Sequence, residues 1–191
     1  MNNNLMFSSA NEQWDTSPKL VKELATVFDW TLDVCASGPN VCEHYFDVDA
    51  DGLSRPWPTF GVCWMNPPYG REVGDWMEKA RKEAMRGVCV VCLVASRTDT
   101  RWWHDTIPFA AFHVQIKGRL TFGSDAYWQY LWDTPMIPDG NGKLKKNPLY
   151  GKHGRKNSAP FPSAFIVLGN GLSIIQENKL ASYGMLFRSR E

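Results

Sequence analysis

The sequence predicts an open, mostly parallel α/β sheet with helices on its faces, and three observations carry this prediction. Apolar runs alternate with amphipathic segments along most of the chain. The run over residues 88–94 is rich in valine, as expected of a strand that is covered on both faces. Turns of small or special residues follow two of the runs, and open α/β sheets bind their ligands beyond the carboxyl ends of strands.

The length and composition are those of a single globular domain. The chain has 191 residues, of which 43% are hydrophobic and 21% are charged, which suits one core. Because the formal net charge is only +1, any affinity for nucleic acid must come from a local basic patch. Neither a transmembrane run nor the pattern of a signal peptide is found, so we expect a cytoplasmic protein with no membrane partner.

The first predicted elements are a capped helix and a short buried strand. Residues 1–12 have the composition of a polar tail. Ser17 is expected to cap a helix that begins at Pro18, because serine accepts from the first free N–H groups and proline suits the first turn. A strand is expected over residues 30–34, followed directly by a turn of small residues at 35–39. A ligand can approach the backbone of such a turn closely.

Strands and helices continue to alternate after this turn. An amphipathic pattern predicts a helix over about residues 72–85, with Gly87 as its C-cap. The predicted strands cover residues 61–65, 88–94, 111–116, 120–122 and 163–168. The residues after 170 are weakly patterned and are expected to hold one helix.

A basic segment interrupts the alternation between about residues 123 and 160. It is rich in Gly, Pro, Asn and Lys and has little periodicity. Residues 139–157 contain six Lys or Arg against one acid, Asp139. A loop of this length in a compact domain is usually functional or disordered. We therefore expect one domain over residues 13–191 that carries a basic insert at about 123–160.

The cysteines and the acidic residues do not predict a metal site. The chain has five cysteines, an odd number that lies mostly in apolar runs and indicates free thiols. Cys89 and Cys92 have C-x-x-C spacing, but residues three apart on a strand face opposite sides. Residues 47–52 match the first half of an EF-hand loop, yet Pro58 stands where its final glutamate should be.

The tetrapeptide Asn66-Pro67-Pro68-Tyr69 follows the strand at 61–65 and is the strongest indication of chemistry. Its prolines have no N–H, and their carbonyls are free to accept hydrogen bonds. Asn66 adds a side-chain acceptor and Tyr69 adds an aromatic face. Such a loop can hold a planar group that carries an exocyclic amine.

The turn at 35–39 is a second candidate binding element. Asp33, at the end of the preceding strand, can accept from a cationic ammonium group. An amino-acid-bearing nucleotide therefore suits this turn better than a polyphosphate, and neither a G-x-G-x-x-G sequence nor a Walker lysine is present. One of Asp47, Asp49 and Asp51 is a candidate for holding a ribose hydroxyl pair, and the alternative is a solvated acidic loop.

Taken in order, these segments resemble motifs I and IV of amino-group DNA methyltransferases, and more narrowly the phage-type, Dam-like DNA N6-adenine methyltransferases. The resemblance covers roughly residues 14–168. The matching segments are Trp14-Asp15-Thr16-Ser17-Pro18, residues 33–39, Asp51-Gly52-Leu53 with Trp57, residues 66–70, 97–100, 102–104, 117–122 and 159–163. The chain departs from the family pattern in lacking the glycine-rich form of motif I, in having Ser17 between Thr16 and Pro18, and in the short stretch between the two motifs.

The resemblance implies a Rossmann-like, S-adenosylmethionine-dependent methyltransferase fold with a C-terminal antiparallel strand, abbreviated between motifs I and IV. It implies methyl transfer to the N6 amino group of adenine in double-stranded DNA, with the target base flipped out of the helix and without a metal. The implied cofactor-binding residues are Trp14, Thr16, Ser17, Asp33, Cys35, Ala36, Ser37 and Gly38, with Asp47, Asp49 or Asp51 on the ribose. The implied catalytic residues are Asn66, Pro67, Pro68 and Tyr69: Asn66 and the Pro67 carbonyl accept from the amine, and Tyr69 stacks on the base.

DNA contacts are expected from basic and aromatic residues that follow the later strands and from the basic insert. The candidates are Arg97, Arg101, Trp102, Lys117, Arg119, Lys143, Lys145, Lys146 and Arg155. One of Trp102 and Trp103 is expected in the core, and a merely solvated insert is the alternative for the lysines.

Other functions share parts of this pattern. N4-cytosine methylation uses the same loop, and a catalytically inactive DNA-binding relative is a further alternative. Methyltransferases that act on glutamine side chains or RNA guanine usually have the glycine-rich motif I that is absent here. The target sequence, the oligomeric state and the biological role, whether protection of DNA or altered regulation in the host cytoplasm, stay open.

Overall fold

The computed structural model describes residues 14–37, 41–123, 125–139 and 142–188, and these ranges fold around a six-stranded sheet and a two-stranded hairpin. The sheet contains β1 (Trp30–Asp33), β2 (Val62–Met65), β3 (Cys89–Ala95), β4 (Ala110–Ile116), β7 (Ser163–Leu168) and β8 (Gly184–Arg188), and the hairpin contains β5 (Met136–Pro138) and β6 (Leu144–Lys146). The helices are α1 (Pro18–Leu24), α2 (Val73–Met85), α3 (Arg101–Thr106), α4 (Asp125–Asp133) and α5 (Ile174–Ala181). No helix among the described residues is both long enough and apolar enough to span a bilayer.

The sheet is mixed, in the order β1-β2-β3-β7-β4-β8. Strands β1, β2 and β3 pair in parallel, whereas β7 is antiparallel to both β3 and β4 and β8 is antiparallel to β4. Four strands therefore point in one direction and two in the other. The prediction of a mostly parallel α/β sheet holds for strand direction, but two antiparallel strands are present where one was expected.

Helices cover both faces of the sheet and give three layers. Leu24 of α1 and Leu180 of α5 belong to the apolar cluster on one face. Met77 of α2 and Trp103 of α3 belong to the cluster on the other. Every residue of β2, β3 and β7 is buried, which explains why these strands are continuous apolar runs in the sequence.

The predicted N-cap of α1 and the opposite faces of Cys89 and Cys92 are confirmed. Ser17 is the N-cap of α1, and its hydroxyl accepts from the Leu20 N–H at 3.4 Å. The C-cap of α2 is Arg86, and Gly87, predicted as the cap, is the next residue, with φ +100°, a conformation that favours glycine. Cys89 and Cys92 face opposite clusters, all five cysteines are free, and no group of three or more potential ligands suited to a metal occurs among the described residues.

Three segments differ from their predicted structure. Residues 120–122 are a loop, because Leu120 is held by a single bond from the Ala159 N–H rather than by a ladder. The residues after 170 contain strand β8 as well as α5. The insert is folded: Trp128, Leu131 and Leu149 form a small core of their own. The helix and hairpin of the insert were not predicted, because too few of its apolar residues are regularly spaced to produce a helix or strand pattern in the sequence. The predicted tail at 1–12 lies outside the described residues.

Candidate active site

A cleft of about 290 Å³ lies at the sheet edge where β1 and β2 end. The predicted residues that line it are Trp14, Thr16, Asp33, Cys35, Ala36, Ser37, Asp47, Asp51, Asn66, Pro67 and Pro68. The cleft therefore brings the turn after β1 and the loop after β2 together, as expected for parallel neighbours. Gly38 lies outside the described residues.

Several lining residues were not among the predicted site residues. These are Asp15, Val48, Gly52, Leu53, Glu72 and Trp76. Gly52 and Leu53 lie in segments that carry the family resemblance, whereas Glu72 and Trp76 reach the cleft from the start of α2 and have no local motif. Ser17 and Asp49 were predicted at the site but do not line the cleft. The Ser17 side chain caps α1, and Asp49 is exposed.

Asp33 is a buried carboxyl group at the end of β1, with only 4% of its surface exposed. Its Oδ1 accepts from the Cys35 N–H at 3.2 Å. Burial raises the pKa of Asp33 to about 7, the Cys35 hydrogen bond lowers it, and the nearby charge of Asp15 raises it. A cationic ligand would offset the cost of ionising this group.

Close backbone packing brings the acidic loop to the cleft. A Cβ on Gly52 would lie 2.0 Å from the carbonyl oxygen of Val34, so only glycine allows this approach. The indole N–H of Trp57 donates to the Gly52 carbonyl at 2.9 Å and also holds the loop. Asp47 and Asp51 consequently line the cleft.

The cleft is strongly acidic. Its lining includes five carboxyl groups, from Asp15, Asp33, Asp47, Asp51 and Glu72, and among the described residues no Lys or Arg contributes to it. Low-dielectric walls focus a potential of one sign. The arrangement therefore favours a ligand that carries positive charge.

The loop after β2 holds the Asn66 side chain in a defined orientation. Its Nδ2 donates to the Trp14 carbonyl at 2.6 Å, and its Oδ1 accepts from the Tyr69 hydroxyl at 2.9 Å. Because a carbonyl can only accept, the first bond determines which end of the carboxamide is nitrogen. Asn66 thus presents its oxygen on the side of Tyr69.

Cys35 connects the turn after β1 to the loop after β2. Burial raises the pKa of its thiol well above the ordinary value, the Asp33 charge adds to this, and a hydrogen bond from the Asn66 backbone opposes it. The thiol is therefore neutral, and it packs the turn after β1 against the loop after β2.

Tyr69 is buried rather than open to the cleft, with 5% of its surface exposed. Its ring lies edge-on to Phe122 and Phe161, at centroid distances of 5.9 and 5.3 Å. The hydroxyl also lies 3.2 Å from the carbonyl oxygen of Leu93. Burial raises the pKa of Tyr69 well above its ordinary value, so the hydroxyl keeps its proton. Stacking of this ring on a base stays a prediction.

The predicted DNA-binding residues on the main sheet fall into two places. Lys117 and Arg119 are exposed just beyond β4, at the same edge as the cleft, and Arg97 donates to the Tyr69 carbonyl at 3.3 Å. Arg101 is exposed on α3 and pairs with Asp105 at 3.3 Å.

The tryptophan pair on α3 is divided as expected. Trp103 is buried, with 6% of its surface exposed, which confirms that one of the pair belongs to the core. Trp102 is half-buried and lies edge-on to Trp103 at 5.7 Å.

The insert packs beside the cleft and presents its basic residues outward. The indole N–H of Trp128 donates to the Phe122 carbonyl at 3.0 Å, and the Gly123 N–H donates to the Asp15 carbonyl at 2.8 Å. Lys143, Lys145 and Lys146 are exposed on or beside the β5–β6 hairpin, and Arg155 is exposed in the loop that follows.

In a comparison with known protein families, one family model matches most of the chain. A family model described as DNA N-6-adenine-methyltransferase (Dam) matches residues 4–147. No curated protein gives a significant match. The matched range contains the cleft, the Asn66-Pro67-Pro68-Tyr69 loop and the first part of the insert.

Proposed function

Since the chain belongs to the DNA N-6-adenine-methyltransferase (Dam) family, we propose that the acidic cleft binds S-adenosylmethionine and that Asn66 and Pro67 receive the adenine amine. The family identifies the chain as an enzyme that methylates the N6 position of adenine in DNA, and no observation favours the cytosine or inactive alternatives. The residue assignment rests on one observation: Asn66, whose carboxamide is held by a hydrogen bond to the Trp14 carbonyl, lines the acidic cleft.

The charge of the cleft supports this cofactor. S-adenosylmethionine carries a sulfonium and an ammonium group against one carboxylate, so it brings net positive charge to a cleft with five carboxyl groups. Asp33 is assigned to the ammonium group, because it is buried and gains most from a cationic partner. Asp47 and Asp51, which line the cleft, are assigned to the ribose hydroxyls in preference to the exposed Asp49.

The acceptor groups supply the chemistry at nitrogen. The lone pair of the adenine amine is delocalised into the ring and is a poor nucleophile. When Asn66 Oδ1 and the Pro67 carbonyl accept its two N–H bonds, electron density returns to nitrogen and the group moves toward tetrahedral geometry. S-adenosylmethionine, when bound, would supply an electrophilic methyl group to this nitrogen, with the S–C bonding pair staying on sulfur. Solvent would take the proton that the methylated amine loses. Positioning supplies much of the rate.

The exposed basic residues are assigned to the DNA backbone. Lys117 and Arg119 at the cleft edge, with the lysines of the hairpin, would contact phosphates on either side of the site. The base must leave the duplex to reach Asn66, as it does for other enzymes that modify bases. Duplex DNA with a flipped adenine is accordingly the proposed substrate complex.

The test is expression in a host that lacks DNA methylation, followed by mapping of modified bases. N6-methyladenine at a defined sequence is expected, together with binding of S-adenosylmethionine by the purified protein in calorimetry. Binding of the cofactor without any N6-methyladenine would refute the substrate, and failure to bind the cofactor would refute the assignment of the cleft. The variant Asp49→Asn, outside the cleft, is the control and should behave as wild type.

A further inference from the structure

We propose that two copies of this chain associate through strand β8 (Gly184–Arg188), which pairs antiparallel with β8 of the second copy across a two-fold axis. Strand β8 is the last in the sheet order and is bonded to β4 on one side. Its other side is a sheet edge, and an uncovered edge is a template for a further strand. This surface is separate from the cleft and does not depend on the function proposed there.

The main-chain groups of β8 divide between β4 and the free edge. The Lys117 N–H donates to the Tyr183 carbonyl at 2.8 Å, which continues the register of the two strands. Since successive residues of a strand direct their N–H and C=O groups to opposite sides, every second residue from Tyr183 onward bonds to β4. The residues between them present both groups at the free edge, where no strand among the described residues pairs with them: Gly184, Leu186 and Arg188.

A two-fold axis through Leu186 satisfies these groups. Leu186 then lies opposite its own copy, and Gly184 lies opposite Arg188 of the second copy. All of these positions have their main-chain groups at the free edge, so each opposed pair can exchange two hydrogen bonds. Because Leu186 is the middle residue, this register pairs all five residues of the strand. The pattern of unpaired groups is therefore complementary to itself, as a two-fold interface requires.

The side chains that meet in this register are apolar and exposed. Met185 and Phe187 are 65% and 40% exposed and lie on the same face of the strand. Phe187 stacks on His113 of β4 at 5.0 Å, which holds its ring beside the edge. Met185 lies opposite Phe187 of the second copy, between bonded pairs, where cross-strand side chains are closest. Pairing therefore covers apolar surface that is exposed in the single chain.

The edge lacks the features that usually prevent strand addition. Natural proteins protect an edge with lysine, proline or a bulge. Strand β8 contains neither lysine nor proline, and its ladder with β4 runs without a register shift. Its one charged residue, Arg188, forms an ion pair with Glu177 of α5. The copies therefore bring neutralised charge to the contact, and the glycine opposite Arg188 leaves room for the ion pair.

The pairing leaves the cleft open. The cleft lies where β1 and β2 end, at the opposite end of the strand order from β8. Two six-stranded sheets would join into one of twelve strands, a size that occurs in large α/β proteins. Because the axis reverses the strand direction, the two clefts open in opposite directions.

Analytical ultracentrifugation and hydrogen exchange followed by NMR test the proposal on the wild-type full chain. We expect a concentration-dependent dimer of twice 21.7 kDa. The Leu186 and Arg188 amides should gain protection as the dimer forms, whereas the Met185 and Phe187 amides, bonded to β4, should be protected at all concentrations. A monomer at every concentration up to the solubility limit would overturn the proposal. So would a dimer in which the Leu186 amide exchanges as fast as in the monomer.

Substitutions in the cross-strand pair test the register. Met185→Lys places a charge opposite Phe187 of the second copy and should raise the dimer Kd about tenfold, because the cost occurs twice across the axis. Adding Phe187→Glu to Met185→Lys brings opposite charges together across the axis and should restore most of the affinity. Adding Phe187→Lys instead should weaken the dimer further. Equal rescue by the two second substitutions would overturn the register.

Phe60→Lys is the matched control. Phe60 is 72% exposed in the loop before β2, on the part of the sheet away from β8, so its replacement adds the same charge outside the proposed contact. The dimer Kd should stay within about twofold of wild type. An unchanged Kd in Met185→Lys, or an equal rise in Phe60→Lys, would overturn β8 as the interface.

Discussion

Replacing Asp33 by asparagine should stabilise the cofactor-free protein and at the same time abolish tight cofactor binding. Asparagine has the same shape and can still accept from the Cys35 N–H, but it cannot ionise. The carboxyl of Asp33 is 4% exposed, so its charge is poorly solvated in the absence of a cationic ligand.

The magnitude follows from the pKa. Burial raises the pKa of Asp33 from 3.8 to about 7, and a pKa difference of one between the folded and the unfolded protein corresponds to about 1.36 kcal/mol. The ionised group therefore destabilises the folded state by about 4 kcal/mol above pH 7. Because the folded pKa is raised, the stability that Asp33 contributes is fully present below pH 4 and is lost as pH rises through 7.

Chemical denaturation at pH 4 and at pH 8 measures the effect. The free energy of unfolding of Asp33→Asn should exceed that of wild type at pH 8, and the two should converge at pH 4. Saturating S-adenosylmethionine should stabilise wild type but not the variant. Asp49→Asn removes the same charge at an exposed position and is the control. Equal stability of Asp33→Asn and wild type at pH 8, with equal cofactor affinity, would refute the reasoning.

Three further variants test the cleft, the acceptor and the insert. Gly52→Ala places a Cβ 2.0 Å from the Val34 carbonyl and should displace the acidic loop by about 1 Å, lowering kcat/KM up to about a hundredfold; a normal value would show that the loop does not need this approach. Asn66→Ala should slow single-turnover transfer by about a hundredfold or more while the cofactor Kd changes by only a few fold, and retained turnover would remove Asn66 from the reaction. Lys145→Ala with Lys146→Ala should weaken DNA binding equally for all sequences and reduce the salt slope by about 2, whereas an unchanged slope would leave these lysines as a solvated surface.

Much of the candidate site could be predicted because its residues lie in short segments with local physical meaning. Three local features are visible in the sequence: prolines that lack an N–H, small residues after an apolar run, and an acid at a strand end. The cleft contains all three. The helices α1 and α2 and the strand β3 were predicted for a similar reason. Caps, amphipathic stripes and continuous apolar runs depend on neighbours in the chain.

The elements that were missed depend on distant neighbours. In the described part of the insert, the buried apolar residues of the helix and hairpin core are Trp128, Leu131 and Leu149, too few to make a periodic pattern. Strand β8 is a sheet edge whose side chains are partly exposed, so its sequence resembles a loop. The position of β7 between β3 and β4 follows from chain connectivity that no local pattern encodes.

The sequence by itself determined the class of fold, the order of the motifs and the chemistry available at Asn66-Pro67-Pro68-Tyr69. Only the tertiary structure decided how those groups meet. Asn66 is oriented by the carbonyl of Trp14, 52 residues away, and the hydroxyl of Tyr69 lies against Leu93, 24 residues further on. The physical reason is that secondary-structure propensities and hydrophobic patterns depend on residues close together in the sequence. The direction of a side-chain hydrogen bond, by contrast, is set by strands that become neighbours only when the sheet has formed.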